Sequence, residues 1–217
     1  MEYWKEDGIL HKEIFNSMKM NIGGIIPLST NEWKGHISTV IFFNGCPFRC
    51  SYCHNYELIE QTSYIDELDV YDEISKQTPF IDSVIVSGGE PTMQPEALEN
   101  VLSFSKFMDL QTAIETNGYY PNVIEHLSIK HLIDLVFIDV KTTEKDYNIL
   151  TGKNDAYEKL MTTLTIDVPF YKRTTVFKDF EIPKNAENFQ RGLLDLSWKK
   201  DLHEYSEKEF EQLKKTN

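Results

Sequence analysis

Ser38-Thr-Val-Ile-Phe-Phe-Asn-Gly-Cys46-Pro-Phe-Arg-Cys50-Ser-Tyr-Cys53 runs from an apolar, β-branched segment straight into three cysteines spaced C-x-x-x-C-x-x-C. The 217-residue chain holds three cysteines in all, so every one of them lies in this loop. An odd, tightly spaced set cannot close a disulfide framework on itself. It also falls one thiolate short of a closed four-cysteine metal site. Three soft ligands on one loop suit a cubane iron–sulfur cluster whose fourth iron is left to a ligand from outside the protein. Structural zinc is the competing reading; it would need His54, cramped directly against Cys53, or a remote histidine. Buried free thiols are the other alternative, but Pro47, Arg49, Ser51, His54 and Asn55 make the loop polar rather than core-like.

Outward from this loop, apolar runs ending in small or polar residues recur along the chain: Ser83-Val-Ile-Val-Ser-Gly-Gly-Glu90, Gln111-Thr-Ala-Ile-Glu-Thr-Asn-Gly118, Leu135-Val-Phe-Ile-Asp-Val-Lys141 and Phe170-Tyr-Lys-Arg-Thr-Thr-Val-Phe177. Segments of helical periodicity separate them. Asp66 to Gln77 carries Leu68, Val70, Tyr71 and Ile74, and Pro95 to Met108 opens with proline and sets Leu98, Val101, Leu102 and Ser105 on one face. Shorter helices are expected over Pro121 to Leu127, Glu144 to Leu150 and Tyr157 to Leu164. Nearly continuous apolar strands alternating with helices predict an α/β fold built on a parallel sheet with right-handed crossovers.

The reading is of one domain over residues 1–217, with no repeat, low-complexity tract or linker. The segment up to Met20 reads as an amphipathic helix, Gly23-Gly24-Ile-Ile-Pro27 as the start of a strand or hairpin, and Ser206 to Lys215 as a charged helix. Against 22 Lys and Arg stand 35 Asp and Glu, a net charge of −13 that repels nucleic-acid backbones and anionic membranes. No apolar run reaches membrane-spanning length, and the N-terminus lacks the basic-then-apolar pattern of a secretory signal, so a reducing cytoplasm is expected.

The chemistry-bearing residues collect where the predicted strands end. The cysteines follow the first strand, Gly88-Gly89-Glu90 closes the second, Glu115-Thr116-Asn117-Gly118 the third, and Asp139-Val-Lys141 the fourth. Parallel α/β sheets bind ligands at that edge. Each cluster alone has an ordinary reading. Gly-Gly-Glu is a common strand-to-loop turn, Asp139 and Lys141 could be a local ion pair on one strand face, and Glu115 could be a solvated carboxylate. In the functional reading, two residues without Cβ let the backbone approach a ligand, and Glu90 accepts from a ligand ammonium. No Ser/His/Asp constellation stands out.

Taken together, the cysteine loop, the glycine turn and the strand ends resemble the radical S-adenosylmethionine (SAM) superfamily. The stretch from Gly23 to Asn55, then Ser-Gly-Gly-Glu-Pro, Glu-Thr-Asn-Gly and Asp-Val-Lys, is most similar to glycyl-radical-enzyme activases, in particular those of anaerobic ribonucleoside-triphosphate reductase. The resemblance covers roughly residues 23–177 and implies a partial (β/α)6 barrel. Five strands are evident from the residues, and a sixth is expected around Gly192 to Leu196.

The resemblance implies a [4Fe-4S] cluster on Cys46, Cys50 and Cys53, its open iron chelated by S-adenosylmethionine. By the same carry-over, Tyr52 packs near the adenine, and Gly88, Gly89 and Glu90 meet the methionine ammonium. Asp139 and Lys141 orient the methionine moiety and Arg173 reaches the cofactor, while Glu115 and Thr116 stand where some activases hold a monovalent cation. The implied reaction is reductive cleavage of S-adenosylmethionine to a 5′-deoxyadenosyl radical that takes a Cα hydrogen from a glycine of a partner enzyme. The partner implied is anaerobic ribonucleotide reductase, and the electron donor a flavodoxin- or ferredoxin-like protein. A radical SAM enzyme acting on a small molecule, of the deazapurine-forming type, shares the whole cofactor site, and a non-catalytic metal-binding protein is a third alternative. The chain departs from the group at Lys34-Gly35, where Pro-Gly is frequent, and after Phe180, where His203 is not securely the activases' late histidine. No cysteine separates Cys53 from Gly88, unlike activases with added ferredoxin-like clusters.

Overall fold

The computed structural model describes residues 5–6, 9–10, 17–177, 180–181, 183, 188–191, 194–195 and 203–204. In chain order the strands are β1 (Lys5–Glu6), β2 (Ile9–Leu10), β3 (Lys19–Ser29), β4 (Ser38–Phe43), β5 (Tyr64–Asp66), β6 (Ser83–Gly88), β7 (Gln111–Thr116), β8 (Leu135–Asp139), β9 (Phe170–Val176), β10 (Asn188–Arg191), β11 (Leu194–Asp195) and β12 (His203–Glu204). The helices are α1 (Glu67–Gln77), α2 (Pro95–Phe107), α3 (Pro121–Ile129), α4 (Glu144–Thr151) and α5 (Ala156–Thr163).

Eight of these strands form one sheet in the order β10-β9-β8-β7-β6-β4-β3-β5. From β4 to β10 every pairing is parallel, while β3 and β5 join antiparallel at the edge. Because the parallel strands follow one another in sequence order, every right-handed crossover turns the same way and all helices fall on one face. That is the winding of a barrel rather than of a doubly wound sheet, here the partial (β/α)6 barrel expected.

Local chemistry explains the helix limits. Asp66 caps α1 by accepting from the Leu68 N–H at 3.1 Å, α2 and α3 each begin on a proline, and α4 ends on Gly152 in the left-handed conformation at φ 72°. The faces anticipated from periodicity are buried: Val70, Tyr71 and Ile74 on α1, and Leu98, Val101, Leu102 and Ser105 on α2.

Alternation along the strands sorts side chains between two cores. Ile41, Val84, Val86, Ile114, Val136 and Ile138 pack in the large core that includes the helices' apolar faces. Val40, Ile85, Ala113, Leu135 and Phe137 turn inward and meet Trp33 from the β3–β4 loop, which fills the lumen near the strands' N-terminal ends. The next inward positions, Ser87, Glu115, Asp139 and Arg173, carry polar groups toward the C-terminal ends.

Two expectations are corrected. The segment up to Met20 is not a continuous helix: β1 and β2 pair antiparallel with Glu6 opposite Ile9, and β3 already begins at Lys19. The Asp7-Gly8 dipeptide between β1 and β2 is a hairpin signal that the apolar spacing obscured. The sixth parallel strand is β10, not a segment over Gly192 to Leu196; Leu194–Asp195 pairs instead with His203–Glu204 in a separate small sheet. An edge strand is held by backbone pairing along one side, so β10 needs no apolar run to mark it. The helix expected over Ser206 to Lys215 lies outside the described residues. Among the described residues no helix is long and apolar enough to cross a membrane.

Candidate functional site

The C-terminal ends of the parallel strands surround a cavity of about 480 Å³ lined by all three cysteines together with Tyr52, Gly88, Gly89, Glu115, Thr116, Asp139, Lys141 and Arg173. Eleven of the twelve residues singled out from sequence that bear on a cofactor or metal therefore meet on one surface; they come from the ends of β6, β7 and β8, from β9 and from the loop after β4.

The cysteine loop is held from both sides. Gly45 N–H donates to Leu58 O at 2.8 Å, Arg49 N–H to Thr151 O at 2.9 Å, and the Arg49 guanidinium to the carbonyls of Cys46 and Phe48 at 2.9 and 3.0 Å. Burial pushes all three thiols above their ordinary range, Cys50 up to about 12. Such thiols keep their protons in an empty site, and a metal must displace them on binding.

Gly88 and Gly89 serve a second purpose beside the ligand approach read from sequence. A Cβ on Gly88, at φ +119°, would lie 2.2 Å from the Phe43 carbonyl oxygen, and one on Gly89 2.2 Å from that of Gly45. Their backbones close on the chain leading into Cys46, with Gly89 N–H donating to Phe43 O at 2.9 Å and Glu90 N–H to Gly45 O at 2.8 Å. The glycine turn thus fixes the cysteine loop's starting point while still lining the cavity.

Glu90 is the twelfth residue and stands behind that surface, with no exposure. Its carboxylate accepts from the Thr92 N–H at 3.1 Å, the Thr92 hydroxyl, the Thr116 hydroxyl at 2.7 Å and the Asn117 N–H at 2.7 Å. Burial pushes its carboxyl up and the four donors pull against it. It joins the ends of β6 and β7 to the cysteine loop.

On the opposite side, Lys141 Nζ donates to Asp139 Oδ2 at 2.8 Å, with the lysine side chain 12 % exposed. Glu115 receives the Arg173 guanidinium on one oxygen and the Ser87 hydroxyl, at 2.6 Å, on the other. Arg173 also donates to Glu32 O at 2.7 Å and covers the Phe137 ring. A cation at Glu115 and Thr116 would have to share Glu115 with Arg173. A second cavity of about 700 Å³, lined also by Trp33 and Glu32 of the β3–β4 loop, shares Asn55, Ser87, Glu115 and Arg173 with the first.

Residues not singled out as site members also face the first cavity: Phe48, Asn55, Ser87, Asn117 and Thr175. Ser87 and Thr175 could have been found from strand alternation with Glu115 and Arg173; Asn117 lies within the Glu-Thr-Asn-Gly turn already noted.

These residues fit a [4Fe-4S] cluster with S-adenosylmethionine. Among the described residues no three His, Cys, Asp or Glu side chains converge on a point where one metal ion could sit. A cluster takes each thiolate on a different iron and needs no such convergence. Beside the thiols, the Tyr52 hydroxyl is buried without a hydrogen-bond partner among the described residues, an orphan that a bound group could satisfy.

Comparison with known proteins agrees with this donor set. Residues 40–166 match the radical SAM superfamily. The chain is 33 % identical over 161 residues to a protein of Methanocaldococcus jannaschii carried under the provisional name glycyl-radical enzyme activating enzyme, covering 74 % of this chain and 66 % of that one. It is 39 % identical over 125 residues to the pyruvate formate-lyase-activating enzyme of Clostridium pasteurianum, covering 54 % and 51 %. The matches thus span between half and two thirds of those relatives' length. Among solved structures, TYW1 with a lysine-pyruvate adduct bound superposes with a TM-score of 0.52 at 18 % identity, over 66 % of this chain and 57 % of that one, which speaks for a shared fold. The chain belongs to the radical SAM superfamily, whose chemistry rests on a [4Fe-4S] cluster and S-adenosylmethionine.

Proposed function

We propose that this chain is an activating enzyme that installs a glycyl radical on a partner enzyme, with Cys46, Cys50 and Cys53 as the cluster ligands. The observation that carries the reading is that all three thiols share one cavity with the strand-end Asp139–Lys141 pair and the Gly88–Gly89 turn, in a chain similar to glycyl-radical activating enzymes. Bound there, the cluster and S-adenosylmethionine supply a hydrogen-abstracting radical through one-electron reductive cleavage of the sulfonium.

The protein's own residues bind, orient and shield. Lys141, held by Asp139, is placed to meet the methionine carboxylate, and the edge of the Gly88–Gly89 turn offers backbone groups to the methionine ammonium. Glu90 supports that ammonium site from behind, by holding the turn against β7. Tyr52 and Phe177, with ring centres 5.2 Å apart, close an apolar side suited to the adenine. Arg173 and Glu115 limit the cofactor on the lumen side, and a monovalent cation at Glu115 and Thr116 would share the Glu115 carboxylate with Arg173.

The partner we propose is anaerobic ribonucleotide reductase, on the likeness of residues 23–55 to that group's activases, with a flavodoxin- or ferredoxin-like donor in a reducing cytoplasm. The test is anaerobic: the reconstituted chain, reductant and S-adenosylmethionine are mixed with anaerobic ribonucleotide reductase and, separately, pyruvate formate-lyase. A glycyl-radical EPR doublet on the first enzyme supports the reading, and a doublet on the second alone changes the partner. If S-adenosylmethionine is cleaved but neither enzyme acquires a radical while a free metabolite is consumed, the chain acts on a small molecule.

A further inference from the structure

We infer that Asn117 sets the reduction potential of the cluster through a hydrogen bond to the Cys46 sulfur. The Asn117 side-chain nitrogen stands 3.7 Å from Cys46 Sγ. Its orientation is determined by a second bond: the side-chain oxygen accepts from the Tyr119 N–H at 3.0 Å, so the NH2 group is the end turned to the sulfur. The backbone is pinned as well, with Asn117 N–H donating to Glu90 Oε2 at 2.7 Å, Gly118 N–H to the Thr116 hydroxyl at 3.0 Å, and the Thr163 hydroxyl to Gly118 O at 2.7 Å. Asn117 is 5 % exposed, so its side chain is largely withdrawn from solvent.

A buried, pre-aimed amide beside a ligand sulfur has an electrostatic consequence. Reduction of the cluster takes one electron from a low-potential donor and adds one negative charge, part of it on the ligand sulfurs. A fixed N–H dipole stabilises that extra charge more than the oxidised state, raising the potential. The inference rests on the superfamily's cluster and not on the partner's identity, so a wrong partner leaves it standing.

Asn117→Asp keeps the oxygen that accepts from Tyr119 but replaces the donor with a carboxylate oxygen; Asn117→Leu removes the polar group at similar size. Each full-length variant is reconstituted anaerobically with iron and sulfide, and its midpoint potential is read by EPR-monitored redox titration beside the unaltered protein. Both variants should retain full iron content and titrate lower, Asp more so than Leu. The expected shift is at least tenfold in the reduction equilibrium, about 59 mV for a one-electron couple. Unchanged midpoints in fully loaded variants overturn the inference. Should both variants fail to load, the unaltered protein grown with side-chain 15N-asparagine answers instead: a 15N hyperfine coupling to the reduced cluster supports the bond, and its absence overturns it. An unaltered chain that binds no iron under these conditions overturns the inference and the cluster together.

Discussion

The Arg173 guanidinium lies 3.9 Å from the centre of the Phe137 ring, a cation seated on an aromatic face inside the barrel lumen. The same group pairs with Glu115 and donates to Glu32 O in the β3–β4 loop. One side chain thus links β9, β8, β7 and the loop that plugs the lumen. Arg173→Gln should lower stability by about 2–4 kcal/mol, from the loss of a cation–π contact and charge-assisted hydrogen bonds. Arg173→Lys should recover only part of this, because an ammonium cannot fork between Glu115 and Glu32. Thermal melts measure the loss, and amide exchange should quicken at His36, whose N–H donates to Trp33 O in that loop.

Gly88→Ala and Gly89→Ala should each destabilise the protein by roughly 2 kcal/mol or more, since the new Cβ meets backbone oxygen rather than a side chain that can turn aside. The displaced partner in both cases is the chain entering Cys46. Iron retained after anaerobic reconstitution should therefore fall along with the melting temperature. A Gly88→Ala protein with unchanged melting and full iron would contradict the closed approach described.

Replacing Cys46, Cys50 or Cys53 with Ala should abolish cluster binding, because each removes a third of the protein's ligands. Iron and sulfide analysis after anaerobic purification gives the answer directly: about four iron per chain in the unaltered protein, by the stoichiometry of the cluster, and a loss of most of it in each variant. Zinc without sulfide in the unaltered protein would show a different metal site.

Asp66 carries a pH prediction. Its hydrogen bonds from Ser17 and the Leu68 N–H hold its carboxyl down at about 2, against an ordinary 3.8. A folded-state value below the unfolded one contributes stability above about pH 3.8 that disappears as pH falls toward 2. Asp66→Asn, which still caps α1, should flatten this part of the acid-denaturation curve by giving up the ionisation-linked stability above about pH 3.8, while matching the unaltered protein near pH 2. Urea midpoints measured at pH 2, 3, 4 and 7 would refute the assignment if the two proteins lost stability in parallel.

Most helices and central strands were legible because their signals are local. Pro95 and Pro121 mark helix starts, Asp66 a cap, and Ser83–Gly88 a buried strand by its continuous apolar run. The N-terminal segment has apolar spacing that suits a helix, but Asp7-Gly8 is a turn signal and β1 pairs antiparallel with β2. β10 was misplaced because Asn188–Arg191 owes its strand conformation to pairing with β9, which no local pattern records.

By itself the sequence determined the three-cysteine loop and the strand alternation that brings polar residues to one end of a parallel sheet, because spacing and periodicity are properties of consecutive residues. It left open which groups face the cavity and which stand behind it. Tertiary structure decided that Glu90 spends its carboxylate on Thr92, Thr116 and Asn117, that Gly88 and Gly89 make room for backbone, and that Asn117 aims its amide at Cys46. Those contacts join residues 26 to 71 positions apart as well as near neighbours. Only the packing of β6 and β7 against the cysteine loop brings such distant groups within hydrogen-bond range.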